Sequence, residues 1–209
     1  MPNESERNRA IHLIRILIGD VIAARERLNM ADTQTARRDV VRASLAAIEG
    51  EVWLARDHVR DTLRGFDELS PLANLALSEQ AYVVTENGKL LEQTRSVPLP
   101  TAVRLVVAQT QIICPELAVD FAGTGWSNFR RAVSIRNRIT PPRPENDLNV
   151  SDEELHAVAS GLSWLAATIE YIMASTNLAL IDARTFLDQL LAGNADALEK
   201  YQSELERGA

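Results

Sequence analysis

The 209-residue chain has a single cysteine, Cys114, so no disulfide can close within it, and a reducing compartment is the expectation. Aromatic residues amount to only 5%, which leaves Leu, Ile, Val and Ala to build the core. That composition suits helix-on-helix packing better than a β-sandwich. No apolar stretch reaches a membrane-spanning length before charge interrupts it. The opening MPNESERNRA is polar where a secretory leader would be apolar, so a soluble, cytoplasmic protein without membrane contact is expected. Acidic residues are absent from Phe121 to Pro144, although the formal net charge is -7. The overall charge opposes broad adhesion to nucleic acid. The acid-free stretch holds Arg130, Arg131, Arg136, Arg138 and Arg143, a local island that could hold an anion or present a solvated helix face.

Helical spacing dominates what is present. Ile11, Ile14, Ile18, Val21 and Ile22 mark a first helix, with Asn3 or Ser5 as its cap. Val41, Leu45, Ile48, Val52, Ala55, Val59 and Leu63 mark a second, from about Thr35 to Phe66. Pro71 opens a short helix, and a further one is expected from about Pro100 to Ile113. Two strand-like runs flank Asn87-Gly88, a dipeptide suited to a tight hairpin turn. Ser151 to Glu154 forms a capping box that starts a long helix running toward Leu191, which Gly193-Asn194 should end before a short polar helix. The prediction is one all-α domain spanning 1–209, a bundle of about five to seven helices with a small β-hairpin inserted near 81–93.

The helix that starts at Trp126 raises a chemical question. At about 100° per residue, Trp126, Phe129, Ala132, Val133, Ile135 and Ile139 gather on one side, and Arg130, Arg131, Ser134 and Arg138 on the other. Arg136 falls within the apolar arc, with Asn137 at its edge. A buried guanidinium needs a partner. Either it meets an acid such as Glu49 or Glu51 of the long helix, or it is aimed at a phosphate, which its planar fork suits. Pro141 and Pro142 force the helix to stop near Ile139 or Thr140.

The stretch FRRAVSIRNRITPPRPENDLNVSDEELHAVASGLSWL resembles the C-terminal half of the HEPN superfamily, small α-helical bundles of which many are metal-independent ribonucleases in toxin and defence systems. The family's hallmark is an arginine, usually with a polar residue after it, then a histidine after four to six intervening positions and often a proline. Arg136, Asn137 and Pro142 match that pattern, and the hairpin is similar to an insertion in some bacterial members. The likeness is good over 121–175 and loose over the hairpin. The resemblance implies a homodimer packed partly through 124–140 and 151–175, with paired motifs across a groove. It implies catalytic roles for Arg136 and Asn137, and RNA or anion contacts by Arg130, Arg136, Arg138 and Arg143. The histidine is missing: Pro141, Pro142 and Arg143 fill the positions where it could stand. A proline transfers no proton, and losing a general acid or base costs on the order of 10²–10⁴ in rate.

Elsewhere the signals are bland. His12 and His58 lie on long helices outside any motif. Glu153 and His156 have the E-x-x-H spacing of carboxylate-bridged metal bundles, but those need a second such pair, so no metal or cofactor is expected. GTGWS lacks a preceding strand and reads as a turn into a helix. Cys114 has no basic neighbour and reads as an inert thiol. Trp126 and Trp164 read as core, and PPRPEND as a stiff surface loop. Three functions follow: a catalytically degenerate module that binds RNA or a nucleotide, or pairs with a protein partner in a toxin or defence type system; an active ribonuclease with another proton carrier; or a structural dimerisation module whose Arg136 belongs to an internal ion pair.

Overall fold

A computed structural model describes residues 4–140 and 143–192, with isolated positions beyond. Among the described residues there are six α-helices: α1 (Glu4–Met30), α2 (Gln34–Gly65), α3 (Pro71–Leu77), α4 (Leu99–Thr110), α5 (Thr124–Ile139) and α6 (Asp152–Leu191). A hairpin of β1 (Gln80–Val84) and β2 (Leu90–Thr94) lies between α3 and α4, and a 3-10 turn (Glu145–Leu148) lies between α5 and α6. The all-helical bundle with one inserted hairpin is therefore observed. Pro141, Pro142, Asn3, Gly193 and Asn194 lie outside the described residues.

The helix starts follow from local chemistry. Thr33 accepts the Ala36 amide at the head of α2, and Ser70 accepts the Ala73 amide before Pro71 in α3. Ser5 lies inside the first turn of α1, which starts at Glu4. At α6 the capping box closes in both directions, Glu154 N–H to Ser151 Oγ at 3.3 Å and Ser151 N–H to Glu154 Oε2 at 3.1 Å. The hairpin turn differs from the two-residue expectation. Thr85 N–H reaches Lys89 O at 2.9 Å, so three residues close the loop, and only Gly88 takes the left-handed conformation, φ 74°.

The core has two adjoining parts. Val41, Leu45 and Ile48 of α2 meet Phe129, Ala132 and Ile135 of α5 and Val158 and Leu165 of α6. Further along, Val59 and Leu63 of α2 meet Val106 and Val107 of α4, Leu117 and Ile172. Phe121, Trp126, Phe129 and Trp164 form one aromatic cluster, with Trp126 and Phe129 stacked at 5.3 Å and the Arg104 guanidinium 4.4 Å from the centre of the Phe121 ring. Both tryptophans thus belong to the core. Gly161 lets α6 approach the α5 backbone directly: a Cβ there would lie 2.8 Å from Phe129 Cα.

α6 is long and apolar enough, on length and composition alone, to cross a membrane, a possibility the sequence reading had set aside. One face of it, with Ala157, Val158, Leu165 and Ile172, is buried against the other helices. Tyr171, Leu178, Ile181 and Leu187 on its remaining surface are exposed.

Candidate functional site

α5 ends where the prolines require. Its last helical residue is Ile139, and Thr140 is extended at φ -150° and ψ 97°, the geometry favoured before proline. The final turn therefore carries Arg136, Asn137 and Arg138, ahead of the 3-10 turn that leads into α6.

Arg136 keeps 31% of its side chain exposed, and its guanidinium pairs with Glu49 of α2. Its Nε is buried without a hydrogen-bond partner. Of the two acids proposed from sequence, Glu49 is the partner. Glu51 has a buried Oε2 with no partner, and burial pushes its carboxyl above the usual range. Asn137 is exposed.

Arg138, grouped by projection with the outward residues, turns back into the chain. It donates to Asp147 O at 3.0 Å and Asn149 O at 2.9 Å, and both Glu154 oxygens lie within 2.8 Å of its Nη2. Two arginines of α2 grip the same segment: Arg37 donates to Val150 O and Arg38 to Leu148 O, each at 3.0 Å. The Gln34 amide brackets Val150, accepting from its N–H and donating to its carbonyl. The segment after the prolines is thus strapped to α2 and α5 through its own backbone. Arg130, Arg131 and Arg143 remain exposed, and no ion pair engages them among the described residues.

An open cleft of about 570 Å³ is lined by Gln34, Arg37, Arg131, Arg138, Asn149 and the acidic first turn of α6, and does not include Arg130, Arg136, Asn137 or Arg143. Its arginines are largely compensated: Arg37 pairs with Asp32 and Asp152 at 2.6 and 2.7 Å, and Arg138 with Glu154. The Ser151 hydroxyl, with Arg131 adding a smaller effect, holds the Glu153 carboxyl below its usual range. His12 and His156 are exposed. His58 lies on the seam between α2 and α6, with Nε2 2.7 Å from Thr176 Oγ1. Among the described residues no trio of His, Cys, Asp or Glu side chains is placed to hold a metal. Cys114 is buried, and burial pushes its thiol up.

Among the described residues, the most buried charged side chain is one that the sequence did not single out. Arg56 of α2 is 8% exposed and pairs at 2.8 Å with Glu79, at the base of the hairpin. Glu79 also accepts the Val97 N–H at 3.0 Å and sits at φ 55°. A signal existed, since Arg56 follows Val52 by four residues on the apolar face of α2. No family model, no curated protein and no solved structure matches the chain.

Proposed function

We propose that the chain is a cytoplasmic HEPN-like module without turnover of its own, acting by assembly with another protein chain. The observation that carries this reading is the pairing of Arg136 with Glu49, which neutralises the motif arginine within the fold. The order of parts supports the resemblance: an Arg-Asn pair on the last turn of one helix, a short loop, then a capped long helix. Apolar side chains left on the surface of α6 and of the hairpin favour a protein partner.

A second reading, binding of RNA or a nucleotide, is favoured by Arg130, Arg131 and Arg143, exposed and unopposed by acids in the same stretch. The first reading expects no cleavage of single-stranded RNA without metal, and partial cleavage only after Pro141→His restores the family's pattern. It also expects Arg136→Ala and Glu49→Gln to destabilise the fold non-additively, by about 1 kcal/mol of coupling for a pair this exposed. Strong cleavage by the natural chain, lost in Arg136→Ala, would overturn it. Tight RNA binding, lost in Arg130→Ala/Arg131→Ala, would establish the second reading in its place.

A further inference from the structure

The hairpin is anchored at its root and bare beyond it. Glu79, just before β1, pairs with buried Arg56 and accepts the Val97 N–H, which fixes where the two strands leave the bundle. Thr85 N–H bonds Lys89 O, and Arg95 N–H bonds Glu79 O, so odd-numbered residues of β1 turn their polar backbone groups toward β2. Gln80, Tyr82 and Val84 therefore turn theirs outward, along a register without a bulge. No charge or proline in β1 guards that edge. A row of outward amides and carbonyls is matched by one kind of group, the backbone of another extended strand. Tyr82 and Val84 lie on one face and Val83 on the other, all exposed, so an added strand meets apolar neighbours on both faces.

Charge says what that strand carries. Between Arg64 and Lys89 the chain has no basic residue, and it has Asp67, Glu68, Glu79 and Glu86. Arg56 neutralises Glu79, whereas Asp67, Glu68 and Glu86 are exposed. The same stretch exposes Leu72 of α3 beside the β1 side chains. Lys89 and Arg95 flank β2 instead. The stretch that contains the β1 edge is thus apolar and rimmed by carboxylates alone. A second β1 edge would bring the same carboxylates, on a chain whose net charge is -7, so like charge opposes self-pairing. A basic partner meets opposite charge there.

We propose that the β1 edge accepts, by strand addition, an extended apolar segment flanked by lysine or arginine and belonging to a different protein. This deepens the assembly reading by naming the partner's chemistry, and rests on it. The two fail separately: RNA cleavage by the natural chain overturns the assembly reading, whereas an unoccupied β1 edge overturns this one alone. The probe is a synthetic peptide of alternating valine and threonine with lysines at both ends, and its control has glutamates in their place. Each is titrated into the whole chain and followed by amide hydrogen exchange. The lysine peptide should protect the Tyr82 and Val84 amides, while Ala81 and Val83 are protected throughout. The glutamate peptide should bind about 10-fold more weakly.

Glu86→Lys should narrow that preference to about 3-fold or less, with helical content unchanged. Tyr82→Pro removes one outward donor, spares the ladder and should weaken the lysine peptide about 10-fold. Should proline disturb the hairpin, seen as lost protection at Ala81 and Val83, a lysine peptide with every amide N-methylated tests the same bonds on the natural chain. It should leave Tyr82 and Val84 unprotected. No protection by the lysine peptide overturns the proposal, and so does equal binding of the two peptides. Protection of Tyr82 and Val84 that rises with the concentration of the chain alone also overturns it, because the edge then takes a second copy.

Discussion

Gly161→Ala should destabilise the protein although alanine is the better helix former. The added Cβ would lie 2.8 Å from Phe129 Cα, 2.9 Å from Phe129 N and 3.2 Å from Asn128 C. Ordinary carbon contacts are about 3.5–4.0 Å, so α5 and α6 must separate by roughly 1 Å. The obstacle is helix backbone, which has no rotamer to change, so the cost belongs near the upper end of overpacking, about 3 kcal/mol. Helix propensity returns about 1 kcal/mol, leaving a net loss of about 2 kcal/mol. For a chain of this size the midpoint of thermal unfolding should fall by about 4–8 °C. Gly19→Ala, in α1 with nothing within 4 Å of its added carbon, isolates the propensity contribution and should raise the midpoint by about 2–4 °C. Thermal and urea unfolding of both variants, followed by circular dichroism, reads the two signs. A Gly161→Ala protein as stable as the natural chain would refute the close crossing of α5 and α6.

Two further outcomes concern pH and buried charge. The hydrogen bond from Arg56, helped by the Val97 N–H, holds Glu79 below its usual range, so the unfolded chain takes up this proton first as pH falls. The pair's stabilisation is present above about pH 4.5 and lost below it, a loss that acid titration should find blunted in Arg56→Met. Glu79→Gln leaves a buried guanidinium and should cost about 3 kcal/mol at neutral pH in urea unfolding. Burial holds His58 below its usual value of 6.5 despite Asp61 and Asp57, so the unfolded chain binds the proton first. Stability should decline as pH drops from about 6.5, and His58→Gln should remove that part of the slope.

The helices were legible because their periodicity is local. α2 was expected at about Thr35 to Phe66 and spans Gln34–Gly65, and the capping box at Ser151 placed the start of α6. The strap over 147–150 was not legible. Arg37 and Arg38 lie more than a hundred positions from the carbonyls they grip, and carbonyls carry no sequence signature. Helical projection put Arg138 outward, but a long side chain at a helix end can turn back, and it does. Projection did place Arg136 against the core and offered Glu49 as its partner, since that question depended on two helix faces alone.

The strap has a consequence for how the chain can vary. Arg37, Arg38 and Arg138 take hold of backbone oxygens at Asp147, Leu148, Asn149 and Val150, and a backbone oxygen is the same whatever side chain accompanies it. Asn149 can therefore change identity while its path stays fixed, as a printed line keeps its position when the letters are reset. The exposed side chains of this segment form a replaceable surface on a rigid track, and new specificity can be written there without redesigning the bundle.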